Sequence, residues 1–495
     1  MTFFACDNLR AVTSGRWLRR PADGVDLVGV GTDTRADLAG RIFVAIVGAR
    51  FDGHDFLGQA AEAGAALAIV ERRRPLGALP RQFGVLLVDD TRRALAQLAL
   101  AYRRTLRGTK VVAVTGSCGK TTTKHMIHAV LATTHQGTAA IKSFNNDIGV
   151  PLTILNARPS DRYLVVEIGS NAPGEVSQLG NIAEPDIAVI TNIGRSHLQG
   201  FGSLEGVARE KGSLLACLCA KATAILHADA PLLAPYAKPV QSVITFGESD
   251  HADLRLTDRG RCGDGYFFEV NGRVRFDLAL PGAHNALNAL AAVAVGRRFS
   301  VPDADISRAL GSLAPAPMRM AVQTVGRVVI YNDAYNANPD STAAALDTFI
   351  EAAGQAKRRI VVLGDMLELG DDAAPLHREI GRRLIDVDSR RSIHHAVLIG
   401  PLATHIADAV ARVWPESRYT HLPALNDGAI DDIIGMLRPG DAILVKASRE
   451  LRLERLVDAV HAHAGSAPVG AAASSQTPGR ARRARRNLRT KPCST

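Results

Sequence analysis

Short β-branched apolar runs recur along this chain, each closed by glycine or a polar cluster, with apolar residues at helical spacing between them. Runs at 42–46, 66–70 and 84–88 read as buried strands, with an alanine-rich helix at 58–65 between the first two. Residues 111–114, 163–167 and 186–191 make a second set, and 327–331, 359–363, 396–399 and 442–445 a third. Strand alternating with helix predicts α/β layers built on parallel sheets.

The run at 111–114 breaks into Thr115-Gly116-Ser117-Cys118-Gly119-Lys120-Thr121-Thr122, and a helix follows through Met126, Ile127, Val130 and Leu131. Strand, glycine loop, Lys-Thr and helix form a phosphate cradle. Backbone N–H groups and the helix N-terminus face an anion, Lys120 reaches the outer phosphates and the Thr121 hydroxyl suits Mg²⁺. Val114 stands where the usual pattern has its first glycine, so the motif is the shorter Gly-x-x-Gly-Lys-Thr. ATP binding is expected. At the usual domain size, 495 residues make about three domains. The expected fold is α/β in three domains. They are a small α/β N-terminal domain over 1–105, a central P-loop mononucleotide-binding α/β domain over 106–315, and a C-terminal Rossmann-like α/β domain over 316–463. A basic tail over 464–495 is expected to be disordered.

Charge changes the picture only once it is located. The chain carries +10, but seven positive charges (Arg480, Arg482, Arg483, Arg485, Arg486, Arg489 and Lys491) lie in that tail, which leaves +3 elsewhere. That balance suits small anionic substrates; no specific nucleic-acid partner is expected, and the tail reads as a solvated appendage or a non-specific contact. No apolar run is long enough for a membrane span, and the start lacks the basic and apolar regions of a signal peptide, so a cytoplasmic monomer is expected. Six scattered cysteines show no zinc-type pairing and fit reduced thiols.

Polar clusters collect after the strands, where open α/β sheets gather their active groups. Glu167 closes one strand beside the phosphate loop and is a candidate ligand of the ATP Mg²⁺. Asp333 and Lys446 stand at strand exits as candidate ligand contacts. Asn285 and Asn288 share a helix face and either bond internally or line a nucleotide site. Two N-terminal loops hold Thr32, Thr34 and Arg35, and Arg50, Asp52 and His54. They suit a pyrophosphate or uridine group, or are ordinary turns. Alone, His197 reads as a structural histidine and Lys211 as a solvated helix charge.

Motifs in a fixed order then identify a resemblance. They are Thr32-Asp-Thr-Arg35, Asp52-Gly-His54, the phosphate loop, Phe144-Asn145-Asn146-Asp147-Ile-Gly149, Glu167-Ile-Gly-Ser-Asn171 and His197-Leu-Gln-Gly-Phe-Gly202. His284-Asn285-x-x-Asn288, Asp333-Ala-Tyr-Asn336-Ala-Asn338-Pro339, Gly364-Asp-Met-x-Glu-Leu-Gly370 and Lys446-x-Ser448-Arg449 complete the set. From about residue 25 to about 460 the chain resembles the Mur ligases of peptidoglycan synthesis. It looks like the branch that adds D-alanyl-D-alanine to a UDP-N-acetylmuramoyl-tripeptide; the alternative is a sister enzyme adding the third amino acid.

The resemblance implies ATP-driven amide formation. The tripeptide carboxylate attacks the γ-phosphate to give an acyl phosphate and ADP, and the dipeptide amine then displaces phosphate. It implies catalytic roles for Lys120, Lys211, His197 and Arg319. Nucleotide contacts would come from Gly116 to Thr122, Asn285, Asn288, Arg319 and Asp333. Two Mg²⁺ ions would be held by Thr121, Glu167, His197 and Lys211, the lysine as a carbamate. Thr32, Thr34, Arg35, Arg50, Asp52, His54, Asn145, Asn146, Asn336, Asn338, Lys446, Ser448 and Arg449 would meet the peptide substrates. The chain departs from the family pattern at Gly31, Met318 and Ala447, while Cys118 fills a variable position.

Overall fold

The computed structural model describes residues 3–262, 265–388 and 392–466, with side chains of the last helix described to His463. The tail beyond 466, with its seven basic residues and Cys493, lies outside the described residues. Among those described, the strands form three sheets of five, nine and six strands.

The first sheet runs Arg16–Arg19, Gly84–Val88, Leu67–Glu71, Ile42–Val44 and Val30–Gly31, parallel except at its first pair. The expected helix at 58–65 is shorter. A 3-10 turn at Gly53–Phe56 leads into Leu57–Glu62, and the chain turns at Gly64 (φ 88°).

The central sheet is built around Lys110–Thr115, which pairs in parallel with Tyr163–Glu167 on one side and Ile187–Ile190 on the other. These strands are almost wholly buried, which explains their continuous apolar reading. Its far edge departs from the parallel expectation: Leu254–Cys262, Gly265–Val270 and Val274–Leu278 form an antiparallel meander. One face of that meander meets solvent, so its apolar residues are interrupted by Arg and Asp.

The third sheet runs Ala321–Val325, Val328–Asn332, Asp441–Lys446, Arg358–Gly364, His395–Ile399 and Tyr419–Leu422, parallel except at its first pair. The helix Ala283–Arg298 crosses the phosphate-loop helix Lys120–Leu131 through one apolar cluster.

Two buried seams join the units. Tyr102 donates to the Ala157 carbonyl at 2.8 Å and Arg103 to Ala183 O at 2.8 Å, fixing the helix Thr91–Arg103 against the central layer. Leu198 and Val207 enter the same apolar cluster as Met320, Leu346 and Leu369, so the segment after Ile187–Ile190 seats on the third unit. No helix among the described residues is long and apolar enough to cross a membrane.

Candidate active site

The strand Lys110–Thr115 ends at Gly116, where a Cβ would stand 2.1 Å from Thr191 Oγ1. Gly119 (φ 78°) turns the loop into the helix Lys120–Leu131, and a Cβ there would meet Asn288 Oδ1 at 2.3 Å. Both glycines are required by close approach and by conformation. Cys118 N donates to Asn192 Oδ1 at 2.8 Å, and Ser117 Oγ bonds Gly194, so the loop is held from the neighbouring strand exit. Lys120 Nζ donates to the Gly116 and Ser117 carbonyls at 2.6 and 3.2 Å. Burial pushes its pKa down and Glu167 opposes that shift.

Glu167, 1% exposed, is the hub. Its Oε1 accepts from Thr121 Oγ1 at 3.1 Å and Asn145 Nδ2 at 3.0 Å, while Lys124 Nζ stands 3.3 Å from Oε2. Arg319 Nη2 donates to the same Thr121 hydroxyl at 3.3 Å, and its guanidinium lies 3.9 Å over the Tyr335 ring. Asn288 donates to Asn285 Oδ1 and Asn285 to Pro281 O, so the pair bonds internally, and both residues also line the cleft.

From the third unit, Lys446 Nζ pairs with Asp333 Oδ2 at 2.6 Å across adjacent parallel strands. Asn338 caps the helix Pro339–Ala352 in a reciprocal capping box with Ser341, and its Nδ2 reaches Cys118 Sγ at 3.1 Å. Ser448 Oγ accepts from Leu367 N at 2.8 Å. His197 (φ 53°) places Nδ1 2.6 Å from Glu368 Oε2, which holds that carboxyl below its usual pKa. Lys211 is fully buried and donates to Ser170 Oγ at 2.6 Å; burial, then the charge of Lys120, lowers its pKa to about 7. It is not the solvated charge that its position alone suggested.

Most of these groups line one cleft of about 820 Å³, while Lys124 and Lys211 are buried and not among its lining residues. It gathers Ser117 to Thr122, Asn145, Asn146, Glu167, His197, Asn285, Asn288, Arg319, Asp333, Asn336, Asn338, Lys446, Ser448 and Arg449. The N-terminal candidates Thr32, Thr34, Arg35, Arg50, Asp52 and His54 are not among its lining residues. Arg35 bonds its neighbour Asp33 through Nε at 2.8 Å and Nη2 at 2.7 Å, which lowers the Asp33 pKa to about 2. Thr34 is 3.4 Å from Gln59, and Arg50 is exposed. His54 packs inward. It is 5% exposed, with Nδ1 on Asp52 at 2.5 Å and Nε2 accepting from Glu71 N at 3.0 Å, so it is a strut between loop and strand.

Two residues at the site escaped the sequence reading. Arg92, from the first unit, lines the cleft and joins Asp147 at 2.5 Å; nothing in its helix marked it. Lys124 was legible, because it lies four residues after Lys120 and so on the same helix face. The departures also find reasons. Met318 adopts φ 55°, the left-handed region that explains a glycine in the pattern. Ala447 is accommodated because the facing residue is Gly364, where a Cβ would stand 2.6 Å from Ala447 Cβ.

Family models match over most of the chain: Mur ligase family, catalytic domain, at 26–103; Mur ligase middle domain at 114–296; and Mur ligase, glutamate ligase domain, at 318–449. The chain belongs to the Mur ligase family. A UDP-N-acetylmuramoyl-tripeptide–D-alanyl-D-alanine ligase of Bacillus subtilis is 40% identical, over 87% of this chain and 92% of the relative. The protein of the same description from Escherichia coli is 34% identical over 88% and 94%. Among solved structures, MurF from Acinetobacter baumannii superposes with a TM-score of 0.79 at 29% identity, covering 92% of this chain and 98% of that one. MurF ligase from Thermotoga maritima, in complex with ADP, gives 0.74 at 27% over 90% and 99%.

Proposed function

We propose that this Mur ligase is an ATP-dependent enzyme that joins D-alanyl-D-alanine to UDP-N-acetylmuramoyl-tripeptide through an acyl phosphate. One observation carries the reading. The phosphate-loop hydroxyl of Thr121, the strand-end carboxylate of Glu167 and Arg319 from the entrance to the third unit meet in a single hydrogen-bonded chain. Relatives bearing that description over nearly their full length support the choice of substrates, and the ADP complex of the Thermotoga protein supports the nucleotide.

The reaction brings two anions together, so fixed positive charge must lie where they meet. Lys120 and the loop N–H groups hold the β- and γ-phosphates, and Arg319 faces the transferring group. Lys446, Ser448 and Arg449, with Asn336 and Asn338, belong to the peptide side of the cleft. The N-terminal loops around Thr32, Arg35 and Arg50 would take the UDP end.

The residues fit Mg²⁺. Glu167 Oε2 is buried with the Lys124 ammonium 3.3 Å away, and Thr121 and Glu167 supply oxygen donors of the type this ion takes. Among the described residues no three His, Cys, Asp or Glu side chains converge as a cage, which suits an ion held largely by phosphate and water. Thr121 and Glu167 would hold the first ion, and His197 with a Lys211 carbamate the second; bound Mg²⁺ would offset phosphate charge. Lys211, with its pKa near 7, has a neutral amine fraction at physiological pH that can add CO₂ and release a proton to form the carbamate.

The test is phosphate release from ATP with the UDP-tripeptide, with and without D-alanyl-D-alanine. Release that needs all three substrates is expected. Release driven by a single amino acid with a UDP-linked dipeptide, in place of the tripeptide and D-alanyl-D-alanine, would transfer the assignment to the sister activity. Intact mass under CO₂ reports the carbamate as a gain on Lys211 that is absent from Lys211→Met.

A further inference from the structure

Lys124 is 0% exposed, and an unpaired buried ammonium is strongly disfavoured. Two acceptors face it. Glu167 Oε2 stands at 3.3 Å, and the Lys142 carbonyl accepts a hydrogen bond from Nζ. Burial lowers the Lys124 pKa, while the Glu167 carboxylate works against that shift. An apolar side chain of similar length would fill the same space without this cost, so the cation is explained by its partners rather than by packing.

The two partners do different jobs. Glu167 is the carboxylate beside the phosphate loop, with Oε1 taken by Thr121 and Asn145. Lys142 begins the segment that carries Asn145 and Asn146 into the cleft, and it holds a left-handed conformation (φ 49°) that an ordinary side chain adopts only under constraint. The same segment is tied by Gly169 N to Asn145 O at 2.8 Å and by Arg92 to Asp147. Lys124 thus stands on the phosphate-loop helix, one turn after Lys120, and reaches both the carboxylate and the peptide-side loop.

We propose that Lys124 is a positioning residue for the ligase reaction. Its ammonium fixes Oε2 of Glu167, which turns Oε1 toward the Thr121 hydroxyl, and it clamps the 142–147 segment to the nucleotide-binding helix. The inference rests on the function proposed above. Its consequence is that nucleotide geometry and peptide-loop geometry are set by one side chain.

The experiment compares wild type with Lys124→Met, which keeps length and removes charge, and Lys124→Gln, which keeps a short donor. Hydrogen exchange over 141–147 and steady-state kinetics are measured on the full chain. Loss of a hydrogen bond to a charged group predicts exchange in that segment about tenfold faster in Lys124→Met. It also predicts kcat down by about tenfold or more, and KM for the UDP-tripeptide raised with KM for ATP changed by less than about threefold. Lys124→Gln should recover part of the exchange protection while kcat stays low.

Wild-type exchange and wild-type kinetics in either folded variant would overturn the proposal. Failure of both variants to fold would also overturn it, by making Lys124 a stability element. If wild type shows no ligase activity, the function is wrong, and the exchange comparison alone still decides whether Lys124 clamps the loop.

Discussion

Arg195→Ala tests what keeps the central and third units together over the cleft. Arg195, just before His197, reaches across to the third unit. Its Nη2 is 2.6 Å from Asp340 Oδ1 and its Nη1 is 2.7 Å from Glu379 Oε2. The side chains are 32%, 33% and 46% exposed, so solvent weakens both pairs. Taking about 0.5–1 kcal/mol for each pair gives about 1–2 kcal/mol for the clasp. That corresponds to a fall of about 5- to 30-fold in the closed-to-open ratio.

The Arg195 N–H to Asp340 bond at 2.7 Å survives the substitution, so the lower end is the safer figure. Cys118 reports the change, because its thiol packs on Asn338 across the same seam and burial raises its pKa. Alkylation by iodoacetamide, followed by peptide mass, should be about 5- to 30-fold faster at Cys118 in the variant while the closed form predominates. Rates at Cys6 and Cys217, away from the seam, should not change. An unchanged Cys118 rate in a folded variant would refute the reasoning.

Lys120→Ala should lower kcat/KM for phosphate release by about 10²–10³, since the loop would lose the ammonium that the proposed function sets against the outer phosphates. Gly119→Ala combines φ 78° with a Cβ 2.3 Å from Asn288 Oδ1. Urea unfolding should show at least about 1–2 kcal/mol of destabilisation. His125 is held at a pKa of about 4, below its usual 6.5, first by burial and then by the Lys124 charge. The unfolded chain therefore takes that proton first, and stability falls as pH drops from 6.5 toward 4. Compared with His125→Phe, wild type should lose up to about 3 kcal/mol across that window, read from unfolding midpoints at each pH.

Much of this was written in the sequence, because buried parallel strands leave continuous apolar runs that end at the functional edge. Glu167, Asp333 and Lys446 were found by that rule alone. What escaped depends on distance across the chain. The meander at 254–278 shows water one face, so its runs are interrupted, and the strand Arg16–Arg19 alternates for the same reason. The burial of His54 was not legible, because a motif shows which residues travel together, not which of them face outward. The clasp of Arg195 with Asp340 joins residues 145 apart, and no local pattern encodes it.

The partners of the cations in and around the cleft sort them into two kinds. Lys124, Lys446 and Arg195 each face a carboxylate, and leaving it would strand two charges. Lys120 is held by two neutral carbonyls, and Arg319 by a hydroxyl and an aromatic face. Those are weaker partners than a phosphate oxygen, so an incoming anion gains both cations at small cost. The first group therefore sets the frame and the second supplies the charge that moves. Substitutions in the second group should weaken nucleotide turnover with little loss of stability, whereas those in the first should cost both.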